Sequence, residues 1–232
     1  MTPSSQDAAK RAAAVQAVTA IESGMVVGLG SGSTAAFAVE ALAARVAQGL
    51  RVTGIPTSEA TATLARRLGV MLTSFAERTR VDITIDGADQ VERGSLALIK
   101  GLGGALLREK IVANASDRMI VIVDETKLVD RLGGAIPLPV EIVAFGWQTV
   151  IARLAALGCT PTLRLEGGKP FVTDGGNLIA DCAMAGIPDP AALEARLAAV
   201  TGVIESGLFI GLASEILVGR PTGVERIQAS SH

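Results

Sequence analysis

The chain lacks the residues on which most metal centres and nucleophilic triads are built. Its 232 residues include one histidine, His232, which is the last residue, and two cysteines, Cys159 and Cys182. This supply excludes a Ser-His-Asp triad and a His-rich metal site, and it is too small for a zinc cluster or a disulfide framework. Any catalysis must therefore use Asp, Glu, Lys, Ser and Thr side chains with backbone amides. We expect both cysteines to be buried or partly buried thiols.

Composition also argues against several classes of partner. The chain has no tyrosine, one tryptophan and a net charge of −2, so we expect neither aromatic platforms for bases nor binding to nucleic acids or anionic membranes. No apolar run approaches the ~18 residues of a membrane span. The polar N-terminal segment MTPSSQDAAKRAAA lacks the apolar core of a signal peptide. With 49% hydrophobic and 19% charged residues, the chain is expected to be globular and cytoplasmic.

Short apolar runs alternate along the chain with stretches of helical periodicity. A serine cap at position 4 or 5 predicts a first helix that runs to residue 23, with Val15, Val18 and Ile21 on its buried side. Strand-like runs occupy residues 25–27, 51–55, 81–85, 96–99 and 119–123. Strands that alternate with helices predict an α/β fold with a Rossmann-like, mainly parallel sheet.

The pattern changes about half-way along the chain, after a pair of glycines. Residues 134–206 contain short strand-like runs and two helices, the second of which starts at Asp189-Pro190. This segment predicts a small α+β subdomain inserted into a main α/β catalytic domain, which would comprise residues 1–133 and 207–232.

A polar or glycine-rich loop follows each of the first five strand-like runs. These loops are GLGSGST (28–34), PTSEAT (56–61), DGAD (86–89), KGLGG (100–104) and DETK (124–127). In open α/β sheets, ligands bind at the carboxyl ends of the strands. We therefore expect the five loops to line one cleft.

The loop GLGSGST opens a predicted helix directly after a strand, and this arrangement favours an anion. Its glycines allow close backbone approach, the amides at a helix N-terminus attract negative charge, and Ser31, Ser33 and Thr34 add hydroxyl donors. No Gly-Lys-Ser/Thr follows, so it is not a Walker A loop, and Ser33 replaces the third glycine of a dinucleotide fingerprint. The loop predicts a phosphate or another anion, with a tight turn without ligand as the alternative.

Two carboxylates and a lysine follow the third and fourth strand-like runs. Asp86 and Asp89 can divide acid and base work or bind a metal, although Asp and Gly are also ordinary turn residues. Lys100 can hold a phosphate or an oxyanion, and the amides that follow it can stabilise an oxyanion.

Three further charged residues have a structural and a chemical interpretation. Glu109 lies between two basic residues, which by itself is most typical of a solvated helix face, although its helix starts at the expected cleft. Lys127, and more weakly Lys10, either bind a substrate or are solvated. The sequence does not decide which lysine contacts a phosphate.

Taken together, these segments resemble the type A ribose-5-phosphate isomerase family. The matching segments, in the family's order and spacing over about residues 10–224, are GLGSGSTA, PTSEAT, DGADQV, KGLGGALLREK, DETKLV, PLPVEI, TDGGN and GLFIGLA. The family interconverts D-ribose 5-phosphate and D-ribulose 5-phosphate in the pentose phosphate pathway, without a metal or cofactor. The resemblance thus implies a cofactor-free aldose-ketose isomerase that forms a homodimer or homotetramer.

The resemblance also implies the residues of the site. Glu109 matches the glutamate of the family's REK motif and would move the proton between C2 and C1 through an enediolate. Asp86 is the candidate for ring opening, Asp89 would orient hydroxyls, and Lys100 would stabilise the enediolate. The implied substrate contacts are Ser31, Gly32, Ser33, Thr34, Asp86, Gly87, Ala88, Asp89, Lys100, Gly101, Leu102, Gly103 and Lys127.

Three positions depart from the family's pattern. Gln90 replaces an acidic residue, Leu102 interrupts a run of glycines, and GLASEI is a looser form of the C-terminal segment. Gln90 lies outside the core motif and Leu102 keeps its backbone amide, so we expect neither to abolish activity.

Three other functions remain as alternatives. A non-catalytic sugar-phosphate-binding regulator would keep the cleft without turnover, but 232 residues leave little room for an attached DNA-binding module. A dinucleotide-dependent oxidoreductase is disfavoured by the broken glycine pattern. A lactonase or deaminase usually relies on histidine, which is missing within the fold.

Overall fold

The computed structural model describes residues 3–228, with side chains from residue 5 onward, so His232 lies outside the described residues, as does the side chain of Ser4. The alternative cap, Ser5, lies within the first helix, which begins at Pro3, so the prediction of a cap at position 5 was wrong. The α-helices are α1 (Pro3–Val18), α2 (Gly32–Ala47), α3 (Glu59–Arg67), α4 (Leu106–Asn114), α5 (Trp147–Ala155) and α6 (Pro190–Ala198). The first strands are β1 (Val26–Leu29), β2 (Thr53–Pro56), β3 (Ile83–Gly87), β4 (Gln90–Glu92), β5 (Leu98–Ile99), β6 (Met119–Asp124), β7 (Leu128–Val129) and β8 (Leu138–Ile142). The remaining strands are β9 (Thr160–Leu163), β10 (Leu165–Glu166), β11 (Lys169–Pro170), β12 (Leu178–Ala183), β13 (Val203–Ser206), β14 (Leu208–Phe209), β15 (Glu215–Arg220) and β16 (Gly223–Gln228). No helix within residues 3–228 has both the length and the apolar character needed to cross a membrane.

The largest sheet among the described residues has six strands in the order β16-β15-β6-β3-β1-β2. All neighbouring strands run parallel except β16, which pairs antiparallel with β15 at one edge. The predicted α/β fold with a mainly parallel sheet is therefore confirmed. β1, β3 and β6 are buried along their whole length, as expected of parallel strands that are covered on both faces.

The alternation of side chains along β6 divides the core between the two faces of this sheet. Ile120 and Ile122 pack with α1 and α2 on one face. Met119, Val121 and Val123 pack on the other face, in a separate cluster that includes residues of β5, β14 and β15. Successive strand residues point to opposite faces, so one apolar run supplies both clusters.

The apolar run at residues 96–99 forms a strand only at Leu98–Ile99, and that strand is not part of the parallel sheet. β5 pairs antiparallel with β4 and β14 in a smaller sheet of order β14-β5-β4-β7. The loop that follows this run still lines the cleft, as expected, although its strand lies outside the parallel sheet. A short apolar run indicates burial without indicating which neighbours it pairs with.

A second four-stranded sheet, of order β13-β8-β12-β9, is antiparallel throughout and packs against α5 and α6. The side chain of Asp189 accepts the N–H of Ala192 at 2.9 Å and caps α6, with Pro190 in the first turn. This sheet lies inside the segment 134–206. Its core also takes in Ile99 and Leu208, and the division of the chain into two domains stays a prediction.

The first helix ends at Val18, five residues before the predicted end at residue 23. The side chain of Arg45 donates to the carbonyl oxygens of Val18 and Ile21 and so satisfies backbone acceptors that a longer helix would have paired internally. Val18 and Ile21 are buried as predicted, but Val15 is 54% exposed, so its assignment to the buried face was wrong.

The register of α1 can be tested with one substitution at two positions. Val18→Ala should lower the free energy of unfolding by roughly 1–3 kcal/mol, because it removes two methyl groups from the core and leaves a cavity. Val15→Ala is the matched control and should change it by less than about 0.5 kcal/mol. Urea unfolding of both variants checks this, and equal losses would contradict the register.

Candidate active site

The cleft with the most converging charged groups lies at the carboxyl ends of β1, β3 and β6. The chain crosses from β1 to β2 on one side and then returns to β3 on the other, and ligands of open α/β sheets bind at such a switch point. The cleft has a volume of about 120 Å³ and is lined by Lys10, Ser31, Gly32, Ser33, Thr34, Gly87, Ala88, Asp89, Lys100, Gly101, Gly103, Glu109 and Lys127. Of the predicted contact residues, Asp86 and Leu102 are not in this lining.

Three charged side chains are buried together at the centre of the cleft. Lys100 Nζ lies 3.0 Å from Asp86 Oδ2 and 3.3 Å from Glu109 Oε2, and it donates to the carbonyl oxygen of Gly87 at 2.6 Å. Asp86 is 0%, Lys100 3% and Glu109 5% exposed. The interpretation of Glu109 as part of a solvated helix face was therefore wrong.

Local structure explains how α4 brings a glutamate into the interior. Leu106, Glu109, Lys110 and Ala113 are all buried and recur at the spacing of one helical face. Two of the four are charged, so the face has no apolar stripe that the sequence could reveal. The helix is instead buried by the segments packed on it, and Glu109 faces Lys100.

Burial and mutual charge shift the pKa values of this trio in different ways. Burial raises the pKa of Glu109 to about 8, against the Lys100 cation and with help from the Asp86 charge. Burial likewise raises the pKa of Asp86, although Lys100 opposes the shift. Burial alone would lower the pKa of Lys100, but Asp86 and Glu109 outweigh it and raise that pKa above its ordinary value. Lys100 thus stays charged at neutral pH, while Glu109 is poised to exchange a proton.

Asp86 is held by backbone N–H groups through one carboxylate oxygen and by the ammonium of Lys100 through the other. Its Oδ1 accepts the N–H groups of Ser31 at 3.1 Å and Gly87 at 2.7 Å. A side chain on Gly30 would place a Cβ 2.2 Å from this same oxygen, which explains the glycine there. Beyond the ammonium of Lys100, at 3.0 and 3.3 Å, Asp86 Oδ2 and Glu109 Oε2 have no polar partner among residues 3–228. Buried carboxylate oxygens beside one ammonium can accept protons or hydroxyl groups of a ligand.

The hydroxyl of Ser31 belongs to a cluster supplied by the loop PTSEAT. Ser31 Oγ lies 2.7 Å from Thr57 Oγ1, 2.7 Å from Ser58 Oγ and 3.2 Å from Thr61 Oγ1. Thr57 and Thr61 also donate to the carbonyl oxygens of residues 29 and 30. The expectation that PTSEAT lines the cleft was wrong, because its hydroxyls lie behind Ser31 and support the GLGSGST turn.

The donors that remain for an anion lie at the start of α2 and on two lysines. Ser31 is the N-cap of α2, so the first amides of the helix and the hydroxyls of Ser33 and Thr34 face the cleft. Lys127 ends a 3-10 turn, Glu125–Lys127, which is capped by the side chain of Asp124. Lys10 approaches from α1, 4.0 Å from Asp124 Oδ2. Lys10 was only weakly predicted to bind a substrate, because it lies on a helix and belongs to none of the loop motifs.

The glycine loop after Lys100 is held by Asp89 and is closely packed on Leu106. The N–H of Leu102 donates to Asp89 Oδ2 at 2.9 Å, whereas its side chain is 38% exposed and turned away from the lining. A Cβ on Gly101, where φ is +102°, would lie 2.7 Å from Leu106. Gln90, which departs from the family's pattern, exchanges two hydrogen bonds with the backbone of Gly133. It supports the fold there without contact to the cleft.

No group of three or more metal-ligating His, Cys, Asp or Glu side chains occurs among the described residues. Asp86 and Glu109 instead share the ammonium of Lys100, which occupies the position between them. Cys159 and Cys182 are buried free thiols in the second sheet region, as expected.

The chain is similar over most of its length to one family of enzymes. A family model described as ribose 5-phosphate isomerase A (phosphoriboisomerase A) matches residues 53–223. The ribose-5-phosphate isomerase A of Gloeobacter violaceus is 57% identical over 225 residues, which cover 97% of this chain and 98% of that protein. Its counterpart from Gluconobacter oxydans is 53% identical over 218 residues, which cover 93% of this chain and 94% of that protein.

Solved structures extend this similarity to the whole fold. Ribose 5-phosphate isomerase A from Methanocaldococcus jannaschii superposes with a TM-score of 0.92 at 40% identity, over 95% of this chain and 98% of that chain. A D-ribose-5-phosphate isomerase in complex with phospho-erythronic acid superposes with a TM-score of 0.93 at 36% identity, over 96% and 99% of the two chains. Matches of this extent include the second sheet as well as the parallel one.

The charge balance of the buried trio predicts an unusual pH dependence of stability. Lys100→Met leaves Asp86 and Glu109 buried without a cation, so it should lower the free energy of unfolding by roughly 3–5 kcal/mol at pH 8.5. Carboxyl groups with raised pKa values contribute stability at low pH that is lost as the pH rises, so the loss should be smaller at pH 5.5.

Lys110→Met is the matched control, because Lys110 is also buried between two carboxylates. Its partners Glu194 and Glu205 are 33% and 29% exposed and stay hydrated without it. Urea unfolding at both pH values should show a smaller and flatter loss for this control. A loss in Lys100→Met that does not change with pH would contradict the described charge balance.

Proposed function

The chain belongs to the ribose-5-phosphate isomerase A family, and on that premise we propose how its cleft interconverts D-ribose 5-phosphate and D-ribulose 5-phosphate. The reaction is an aldose-ketose isomerisation of the pentose phosphate pathway. It needs a base that reaches both C1 and C2, a stabiliser for the negative charge on the enediolate, and an acid-base group that opens the sugar ring. The observation that carries the proposal is the buried contact between Glu109 and Lys100.

Glu109 is the proton-transferring base in this mechanism. It removes the proton from C2 of the open-chain aldose, the electron pair forms the C1–C2 double bond, and negative charge develops on the C1 oxygen. Glu109 then returns the proton to C1, the proton of the C2 hydroxyl passes to the C1 oxygen to give the C1 hydroxyl, and C2 becomes the ketone. A pKa raised to about 8 makes the carboxylate a stronger base than an exposed glutamate.

Lys100 and the neighbouring glycine amides stabilise the enediolate. The ammonium stays charged because two carboxylates surround it, and it is also held by the Gly87 carbonyl, to which it donates. A fixed cation in a site with little water stabilises developing charge more strongly than water does. The same ammonium, 3.3 Å from Glu109 Oε2, also holds the carboxylate of Glu109 in the cleft where the substrate binds.

Asp86 opens the ring and Asp89 orients the sugar hydroxyls. Asp86 Oδ2 lies beside the ammonium of Lys100 at 3.0 Å, while the other oxygen is fixed by backbone N–H groups, so Oδ2 can take the proton of the C1 hydroxyl and give a proton to the ring oxygen. Asp89 uses one oxygen to hold Leu102 and lies in the lining of the cleft. The phosphate lies against the start of α2, Lys10 and Lys127, where an anion is favoured.

The proposal also covers the chemistry of the ligand, the oligomeric state and the location in the cell. The D-ribose-5-phosphate isomerase of similar fold that was solved with phospho-erythronic acid holds an acidic sugar phosphate, and a ligand of this chemistry suits the three lysines of the cleft. We propose a homodimer or homotetramer that works in the cytoplasm. Exposed apolar side chains at Phe145, Met71 and Leu165 offer candidate contacts between copies. A regulator without turnover is not favoured, because a binding site has no need for a buried base beside a cation.

Removal of the ionisable oxygen of Glu109 should stop proton transfer and spare binding. Glu109→Gln should lower kcat by roughly 10²–10⁴-fold and leave KM within a few fold, since the amide keeps the shape without the base. Proton NMR with ribose 5-phosphate in D₂O that contains EDTA measures both ribulose 5-phosphate formation and deuterium uptake.

Glu194→Gln is the control for this experiment, because Glu194 is also paired with a buried lysine but lies outside the cleft. It should retain kcat within about twofold, as expected of a surface pair. If Glu109→Gln retains kcat within a few fold as well, Glu109 is not the base.

The raised pKa of Glu109 predicts the pH profile of the wild-type enzyme. Only the ionised carboxylate accepts a proton, so kcat/KM should fall as the pH drops through about 8 and should be about tenfold below its plateau at pH 7. Measurements between pH 7 and 9.5 avoid the second ionisation of a phosphate near pH ~6. Circular dichroism controls for unfolding, and a profile that is flat over this range would refute the assignment.

A further inference from the structure

One arginine of the second sheet region reaches the glycine loop that follows Lys100. Arg164 lies between β9 and β10, and its Nη1 donates to the carbonyl oxygens of Gly101 at 3.0 Å and Leu102 at 2.9 Å. Its side chain is 14% exposed. The residue is more than 60 positions away in sequence from the loop it contacts, and no motif in the sequence points to it.

Asp181 holds this arginine in the orientation that the contact requires. Its carboxylate on β12 accepts from Arg164 Nε at 2.8 Å and from Nη2 at 2.5 Å, in the two-bonded arrangement that fixes the plane of the guanidinium. The N–H of Arg164 donates to Ile179 on the same strand at 2.8 Å. The contacts of Arg164 with Asp181 and with the backbone of Ile179, both on β12, therefore direct Nη1 towards the loop.

These contacts determine which way the peptide groups of the loop point. The carbonyl of Gly101 faces Arg164, and the N–H of that same peptide, which belongs to Leu102, donates to Asp89. The carbonyl of Leu102 also faces Arg164, so the N–H of Gly103 points the opposite way, because C=O and N–H of a trans peptide are opposed. Gly103 lines the cleft, and its N–H has no hydrogen-bond partner among residues 3–228.

We propose that Arg164, oriented by Asp181, is a positioning residue that aims the Gly103 N–H at the substrate oxygen on which negative charge develops. The inference rests on the proposed role of the loop in stabilising the enediolate. The guanidinium also polarises the Leu102 peptide by donating to its carbonyl, and this makes the N–H at the other end a stronger donor. The second sheet thereby takes part in catalysis without contact to the substrate.

A donor aimed at developing charge acts on the transition state more than on bound substrate, and this separates positioning from a purely structural role. Arg164→Met keeps much of the aliphatic part of the side chain and removes the guanidinium. It should lower kcat by roughly 10–100-fold while KM for ribose 5-phosphate stays within about threefold. Arg164→Lys should recover part of kcat, because an ammonium can donate to one carbonyl but cannot pair with Asp181 through two bonds.

Arg80→Met is the matched control. Arg80 forms the same two-bonded pair with Asp117, at 2.9 and 2.6 Å, near the amino end of β3 and so away from the cleft. It should leave kcat within about twofold, whatever it does to unfolding. Each kcat is divided by the folded fraction, which is measured by circular dichroism in the same buffer.

Unchanged kcat per folded molecule in Arg164→Met would overturn the proposal, as would a loss of kcat that Arg164→Lys does not reduce. If Arg164→Met fails to fold, Asp181→Asn decides the matter. It keeps the arginine but loosens its orientation, and it should lower kcat by about 3–10-fold with little change in KM. The result for Glu109→Gln is independent, so failure of the proposed base and failure of this positioning role can be told apart.

Discussion

One ammonium group is shared by two buried carboxylates at the end of β3, and the layout of the cleft follows from this imbalance. Lys100 offers a single positive charge to Asp86 and Glu109. Asp86 is additionally held by two backbone N–H groups, whereas Lys100 is the only charged partner of Glu109 among the described residues. The residual negative charge is relieved when Glu109 takes up a proton, so the feature that makes the cluster costly to bury also makes Glu109 basic near neutral pH.

The polar groups of the loops are mostly engaged in holding this arrangement. The hydroxyls of PTSEAT fix Ser31, the N–H of Ser31 fixes Asp86, and Asp89 fixes Leu102. Among the described residues, the donors that remain for a ligand lie at the start of α2, on two lysines and at Gly103, and the acceptors that remain are the oxygens of Asp86 and Glu109 that face Lys100. A site in which most other polar groups are already satisfied needs little rearrangement when a ligand binds, which is the physical basis of preorganisation.

The second sheet contributes more than a separate core. Arg164, held by Asp181, donates to the carbonyl of Gly101 in the glycine loop. The side chain of Asp174 accepts the N–H of Glu59 at 2.8 Å, at the start of α3. Arg108, on the helix that carries Glu109, donates to Glu59 at 2.9 Å and to the carbonyl of Asp174. Segments far apart in sequence are thus tied around α4 and the loop that precedes it.

The α/β class and the clustering of loops at one cleft could be predicted from the sequence, because apolar periodicity and polar loops at strand ends are local patterns that a sequence displays directly. The family and nearly all of the cleft-lining residues were predicted from a resemblance in the order and spacing of the motifs. Tertiary structure alone decided that Glu109 is buried, that PTSEAT supports Ser31 from behind, and that Arg164 reaches Gly101. Burial and hydrogen bonding at those positions depend on segments brought together from distant parts of the chain, and neither residue type nor spacing encodes which segment will pack there.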